Sequence, residues 1–298
     1  MLALVSVAAA HALDEDLAPL SAALDKAHIA HRIVYWDDNS ISWSSFKAVL
    51  IRSPWDYIDK LPEFLAWAAR VSEQTVLLNP LNVIESNTDK HYLAALAALG
   101  IHTVPSRFIE PEQHAEDGLR AFLDEFEHAE FVVKPSVGAG SKDAQRYARE
   151  DTESALMHIH RLQFKNRSVL LQPYLSKVDD AGETALLFFN GVYSHAIRKG
   201  PLLKRNEGPT DLLFAPEQIV ARAPSDDEHK LAQQVVSALP GLFKLDGPLA
   251  YARIDLLLDE DGKPCLLELE LTEPSLFFNY ADGAAERFVA ALKSRLSL

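Results

Sequence analysis

The segment from Arg253 to Glu270 constrains this chain most, because its strand pairing can be worked out from the residues alone. Two apolar-rich runs flank Asp261-Gly262, a dipeptide that favours a two-residue hairpin turn. With those residues in the turn, Glu260 pairs with Lys263, Asp255 lies opposite Glu268, and Arg253 lies opposite Glu270. Side chains alternate between the two faces of a strand. Ile254, Leu256 and Leu258 then face a core with Cys265, Leu267, Leu269 and Leu271, while Arg253, Asp255, Glu268 and Glu270 share the other face. Directly opposed carboxylates lie roughly 5 Å apart and repel. Two readings stay open: a solvated acidic face with an Arg253–Glu270 ion pair, or one wall of a site for a hard divalent cation.

The chain has 298 residues, 48% of them hydrophobic, enough for an ample core divided between two or three domains. Cys265 is the only cysteine and reads as a small core residue, so disulfides are excluded and a reducing, cytoplasmic setting is expected. The net charge is −14 and no cluster of Lys and Arg appears. No nucleic acid and no anionic membrane is therefore expected as a partner. A local cleft can still hold an anion, because its potential can differ from the average. The first residues, MLALVSVAAAHALDEDL, lack the positive start of a signal peptide and read as a buried strand followed by a helix. No run reaches the length of a membrane span.

The first 80 residues alternate strand and helix: strands at Leu2–Val7, His31–Trp36, Ala48–Ile51 and Thr75–Asn79, helices at Leu17–Ala27 and Pro62–Val71. This predicts a parallel sheet covered by helices, without the G-x-G-x-x-G of a dinucleotide site. Arg52-Ser53-Pro54-Trp55-Asp56-Tyr57 follows the third strand. Ligands collect at the carboxyl ends of such strands, so Arg52, Ser53, Trp55 and Asp56 are candidates for substrate binding; the alternative is a cover for the sheet end. A second unit begins near Asn87, with Asn87-Thr88-Asp89 as a helix cap and Lys90 in the first turn of a helix closed by Gly100. Strands and hairpins in the second half indicate α+β units, among them the hairpin with its turn at Asn190-Gly191. The expected class is thus α/β and α+β, with boundaries at 1–86, 87–176 and 177–298.

Four further groups of residues carry chemistry. Phe131 to Lys142 is a strand ending in Lys134, then a loop of small residues. Gly138 and Gly140 let backbone N–H groups approach an anion, Ser136 and Ser141 can donate to it, and Lys134 is a fixed positive charge; the alternative is an ordinary turn beside a surface lysine. Val169 to Leu175 is an apolar strand broken at Pro173, where unpaired backbone can read a purine edge or simply enter a loop. Arg198 and Lys199 point to opposite faces of a strand, and one of them can face a polyphosphate. Arg205 offers a fork for a substrate carboxylate. His158 and His160 on a helix do not share a face and make a poor metal pair.

Taken in order, Thr88-Asp89-Lys90, Val132-Val-Lys134-Pro with its loop, Leu171-Gln-Pro-Tyr-Leu175, and Arg253-Ile-Asp255 with Glu268-Leu-Glu270 resemble the ATP-grasp superfamily. The resemblance spans about residues 85 to 280 and implies an ATP-grasp fold: an N-terminal parallel-sheet domain and two α+β subdomains clasping ATP. It implies that Lys90, Lys134 and Lys199 contact the phosphates and that the 136–142 loop (Ser136, Gly138, Gly140, Ser141) closes over them. Gln172, Pro173, Tyr174 and Leu175 would line the adenine pocket, and Glu183 or Asp179 would reach the ribose. Asp255, Glu268 and Glu270 would hold two Mg²⁺, for which Mn²⁺ can substitute. Arg253, with Lys134, would be catalytic. Many members carry Asn where this chain has Glu270, and an acidic residue where it has Gln172.

The implied chemistry is activation of a carboxylate as an acyl phosphate, then displacement by an amine, with Arg253 holding the oxyanion. Arg52-Ser-Pro-Trp-Asp-Tyr57 and Glu268-Leu-Glu-Leu-Thr-Glu-Pro274 are similar to a smaller group, the cyclo-ligases of D-cycloserine biosynthesis, which close O-ureido-D-serine into a ring. The chain also resembles glutathione-synthetase-like ligases. The expected partner is a small amino-acid-like substrate, gripped by Arg52, Arg198 or Arg205, and a homo-oligomer stays open. A small-molecule kinase on the same fold and a non-catalytic nucleotide-binding module are the alternatives to a ligase.

Overall fold

The computed structural model describes residues 1–203 and 218–297. In chain order the first unit comprises β1 (Leu2–Ser6), α1 (Leu17–Lys26), β2 (His31–Tyr35), β3 (Ala48–Ser53), α2 (Leu61–Ser72), β4 (Val76–Leu78) and α3 (Leu81–Asn87). Its strands are parallel in the order β2-β1-β3-β4. β1 and β3 are buried at every residue, as expected of strands covered on both faces. Alternation divides them: Leu2, Leu4, Ala48 and Leu50 pack on α1, while Ala3, Val5, Val49 and Ile51 pack on the aromatic stripe of α2. β3 runs two residues beyond the predicted Ala48–Ile51, so Arg52 and Ser53 are strand residues with fully buried side chains.

The middle unit holds α4 (Tyr92–Ala98), β5 (Arg107–Ile109), α5 (Ala115–Glu125), β6 (Glu130–Pro135), β7 (Gln145–Ala148), α6 (Thr152–Phe164) and β8 (Val169–Pro173). Its antiparallel sheet has the order β5-β8-β6-β7, and α5 and α6 bury Leu119, Phe122, Ala155 and Ile159 against one face. β7 is short, Gln-Arg-Tyr-Ala, with no period-2 apolar signal to reveal it in sequence. On α6, His158 is buried and bonds the Tyr147 hydroxyl at 3.0 Å, whereas His160 is exposed beside Glu116.

The last unit holds α7 (Val178–Ala181), β9 (Glu183–Phe189), β10 (Val192–Lys199), β11 (Ile219–Arg222), α8 (Asp226–Phe243), β12 (Tyr251–Leu258), β13 (Pro264–Glu270) and α9 (Ala284–Leu296). The sheet order is β11-β10-β9-β12-β13, all antiparallel. Asn190 and Gly191 both adopt positive φ, and Phe189 pairs with Val192 around them, as the two-residue turn requires. α8 covers one face of this sheet. α9 covers the other and packs at the same time on α1, so one core runs from β1 and β3 through to β9 and β12. No described helix is long and apolar enough to cross a membrane.

The β12–β13 hairpin keeps the predicted pairs Asp255–Glu268 and Arg253–Glu270 but reaches them differently. Asp259 N donates to Lys263 O at 2.8 Å, so the turn holds three residues, with Gly262 at φ 80° as the left-handed member. The predicted Glu260–Lys263 pairing is therefore off by one. A bulge restores the register: Asp255 pairs with Glu268 but Leu256 pairs with Leu266, leaving Leu267 without a partner. Below the bulge the faces of β13 exchange. Leu266 joins the main core, whereas Leu267 and Cys265 turn to the other side with Leu257, Val104, Leu175 and Val178. Leu267 was expected in the core with Leu269; the extra residue is what turns it over.

Candidate active site

Between the middle sheet and the last sheet lies a cavity of about 500 Å³, closed on one side by the N-terminal unit. That size suits a nucleotide-sized ligand. β6 contributes Val132 and Lys134, the end of β8 contributes Gln172 to Leu175, β9 and β10 contribute Glu183 and Lys199, and the hairpin contributes Arg253, Asp255, Glu268 and Glu270. The bulge sets Leu257 and Leu267 as an apolar floor directly beyond the carboxylates.

Lys90 arrives by a route the sequence did not reveal. Asn87 is the last residue of α3, not a cap for the next helix. Its side chain donates to Leu269 O and accepts from Leu271 N, both at 2.7 Å, and Tyr92 Oη accepts from Leu269 N at 3.0 Å. These side chains satisfy the open edge of β13, where backbone groups would otherwise lack partners. The turn between them carries Lys90 to 2.9 Å from Glu268 and 2.8 Å from Gly138 O. Lys90 thus ties the hairpin to the glycine loop.

The loop itself turns through Gly140, Ser141 and Asp143, all at positive φ. Gly138, Gly140 and Ser141 line the cavity. Ser136 does not: its N–H donates to Ser168 O, its carbonyl accepts from Lys90 N, and it is buried. Lys142 reaches Asp59 at 2.8 Å, tethering the loop to the N-terminal unit through an exposed contact. At the end of β8, Gln172 is buried and donates to Ser106 Oγ, and the Tyr174 hydroxyl donates to Asp179 at 2.5 Å. The Tyr174 amide donates to Glu130 O, so Leu175 carries the first amide beyond the strand without an intramolecular acceptor among the described residues. Of the two candidates for a ribose, Glu183 lines the cavity, whereas Asp179 is held outside it by Arg146 and Tyr174.

The charges are arranged in pairs. Lys199 bonds Glu183 at 2.5 Å and Asp255 at 2.8 Å. Arg253 donates from Nε and Nη2 to Asp255, and from Nη2 to Glu270. Burial alone would raise Asp255, but Arg253 and Lys199 hold it well below the usual carboxylate range. Burial likewise opposes ionisation of Glu268, and Lys90 and Lys134 overcome it. Glu270 is left over: burial pushes it up to about 8, and neighbouring Asp255 and Glu268 add to the shift despite Arg253. Three oxygen-donor carboxylates on facing strands fit a hard divalent cation, which would also supply the charge Glu270 lacks. Among the described residues no three carboxylate, imidazole or thiol side chains already converge on one point. Ligation therefore requires these carboxylates to turn from their lysine and arginine partners.

Burial draws the Lys134 ammonium down to about 8, with Glu268 opposing and Lys90 reinforcing the shift. Lys134 has no carboxylate within ion-pair distance among the described residues, so a bound anion is its natural partner. If that anion is a phosphate, binding needs the protonated form, present below about pH 8 and lost above it. The KM for ATP is expected to be flat at lower pH and to rise toward about tenfold per unit above this value. Lys134→Met should have a higher, flat KM over the same range; a flat profile in the unaltered protein would detach Lys134 from the phosphate.

The 52–57 motif is divided by the fold. Trp55 lines the cavity, with Nε1 donating to Glu273 O at 3.2 Å. Asp56 accepts from Trp36 Nε1 at 2.8 Å and pairs with Lys60. Ser53 Oγ lies 2.8 Å from Ser6 Oγ. Arg52 is wholly buried, donates to Pro274 O at 3.0 Å, and lies 3.4 Å from Asp16. Asp16 in turn accepts from the amides of Leu276, Phe277 and Phe278. Arg52 therefore fixes the segment after β13 and does not line the cavity. Arg198 is also turned away, donating to the carbonyls of Asp180 and Ala181 at the end of α7, while Lys199 faces in. Arg205 lies outside the described residues. Among the cavity residues without a role in the sequence reading are Tyr57, in a short 3₁₀ turn with no readable period, and Glu273, inside the Glu268–Pro274 motif.

A family model for the N-terminal domain of D-cycloserine synthetase DcsG matches residues 2–79. The chain is 41% identical over 299 residues to the cycloserine biosynthesis protein DcsG of Streptomyces lavendulae, with 99% of each chain covered. The chain belongs to the DcsG family of ATP-grasp ligases. The crystal structure of D-cycloserine synthetase DcsG superposes with a TM-score of 0.94 at 41% identity, covering 99% of both chains. More distant ligases share the fold. D-alanine–D-alanine ligase from Bacillus anthracis superposes with a TM-score of 0.68 at 14% identity, covering 99% of this chain and 97% of that one. The ATP-grasp ligase PsnB does so with 0.62 at 16%, covering 97% and 98%. The three lysines, the glycine loop and the acidic hairpin line one cavity of this chain.

Proposed function

We propose that this ligase closes O-ureido-D-serine into D-cycloserine at the expense of ATP. The observation that supports the reading most is 41% identity to DcsG along 99% of the chain, with the acidic hairpin and lysines gathered on one cavity. Adenine enters between the end of β8 and the floor of Leu257 and Leu267, where the Leu175 amide can donate to it. Glu183 takes the ribose side. Lys90, Lys134 and Lys199 hold the phosphates, with Gly138, Gly140 and Ser141 folding over them. Asp255, Glu268 and Glu270 would hold Mg²⁺, and the ion when bound would supply charge neutralisation at the phosphates.

The substrate carboxylate oxygen attacks the γ-phosphorus and ADP leaves, giving an acyl phosphate. The ureido nitrogen bonded to oxygen then attacks the acyl carbon and gives up its proton, phosphate departs as the ring closes, and hydrolysis of the carbamoyl group on that nitrogen releases CO2 and ammonia. Arg253 stabilises negative charge on the acyl oxygen as the tetrahedral centre forms. The loop at 136–142 excludes water, which would otherwise hydrolyse the acyl phosphate.

Hydroxylamine distinguishes this chemistry from phosphorylation of a hydroxyl. With Mg·ATP, O-ureido-D-serine and hydroxylamine, the expected result is a hydroxamate formed at the expense of the cyclic product. ADP release with a stable phosphate ester and no hydroxamate would replace the ligase step by a kinase step.

A further inference from the structure

The carboxylates around the cavity are not equivalent. Glu183, Asp255, Glu268 and Glu270 each have a lysine or arginine within ion-pair distance. Asp16 is used by three backbone amides, and Glu15 is exposed to water. Glu273 has no such cation among the described residues, although it lines the same cavity. The buried Tyr57 lines the same cavity, and its hydroxyl favours the ionised form of Glu273. An anion removed from bulk water without a counter-charge is costly, and a ligand cation can supply what the protein withholds.

Its backbone is fixed from several sides. Trp55 Nε1 donates to Glu273 O, Arg52 donates to Pro274 O, and Asp16 accepts from the three amides at 276–278. Arg253 donates to Ser275 O at 3.3 Å in the same segment. Glu273 therefore lies on the Arg253 side of the acidic wall. The apolar floor of Leu257 and Leu267 lies on the other side, beyond Glu268.

We propose that Glu273, backed by Tyr57, binds the ammonium group of the amino-acid-like substrate and so aims its carboxylate at the phosphate site. This rests on the reading of the protein as a ligase for such a substrate. The 52–57 motif then serves specificity indirectly: Arg52 and Trp55 are positioning residues, and Tyr57 and Glu273 form the ligand contact. Burial pushes Glu273 up to about 7, with Tyr57 and Lys90 opposing; a bound ammonium would favour the ionised form.

The test is equilibrium binding, in the presence of Mg·ADP, of O-ureido-D-serine and of its desamino counterpart with hydrogen in place of the ammonium. The unaltered protein is expected to prefer the amino compound by about ten- to a hundredfold. Glu273→Gln should bind both compounds alike, and Tyr57→Phe should narrow the preference. Nucleotide affinity should be unchanged in both variants, which shows that each is folded. No preference in the unaltered protein, or a preference that survives in Glu273→Gln, overturns the assignment. A preference carried by Glu273 without ADP release on adding ATP would uphold the ammonium site while refuting the ring-closing reaction. Ring closure with no such preference would do the reverse.

Discussion

Glu268→Gln is expected to lower ATP turnover on the order of 10³-fold while leaving the melting temperature nearly unchanged, the scale of losing one electrostatic stabiliser of a transition state. The substitution keeps the shape of the side chain and an oxygen that can still accept from Lys90, whose ammonium also donates to Gly138 O. The glycine loop and hairpin therefore stay joined. What disappears is one negative oxygen donor from the facing pair Asp255–Glu268, and with it the charge that Lys90 and Lys134 balance. ADP release at saturating substrate, measured beside the thermal unfolding curve, reads the two effects separately. Turnover equal to that of the unaltered protein would remove Glu268 from the cation site.

Arg253→Lys is expected to reduce kcat about 10²–10³-fold with little change in the KM for ATP. The guanidinium spans Asp255, Glu270 and the Ser275 carbonyl, and lies 5.4 Å over the Phe277 ring. A lysine head has no planar fork with which to span these partners. Charge is conserved, so the nucleotide end of the cavity keeps its field, and the loss falls on the acyl-transfer step. A rise in the KM for ATP without a fall in kcat would place Arg253 on the nucleotide instead.

Much of the site is legible in the residues because it depends on local rules. Alternation along a strand puts Arg253 and Asp255 on one face whatever surrounds them. The pairing with Glu270 and Glu268 follows once the hairpin is recognised. Lys199 and Arg198 separate to opposite faces for the same reason. The three-residue turn escaped notice because Asp261-Gly262 suits more than one turn, and Gly262 serves at positive φ in either. Only the compensating bulge at Leu267 preserves the pairing of Arg253 with Glu270 and Asp255 with Glu268, and a bulge leaves no periodic trace in a run of leucines.

Arg52 shows the opposite case. Its place after an apolar strand and before Pro54 and Trp55 suggested a loop residue free to meet a ligand. The strand continues, however, and Arg52 finds Asp16 and Pro274 O, which lie 36 and 222 residues away in the chain. Asn87 is similar: a sensible helix cap by sequence, it joins β13 at Leu269 and Leu271 instead. Partners at that separation follow from packing, since nothing local distinguishes a buried charge awaiting a distant carboxylate from a surface one.

The acidic hairpin, the lysine at the end of β6 and the order of the motifs follow from strand periodicity and residue chemistry, which operate over a few residues. Which carboxylate lacks a cation, which arginine is buried, and where Lys90 lands follow from the docking of α3, β13 and the N-terminal sheet. Those outcomes depend on the three-dimensional balance of charge and burial, and a linear order of side chains does not contain that balance.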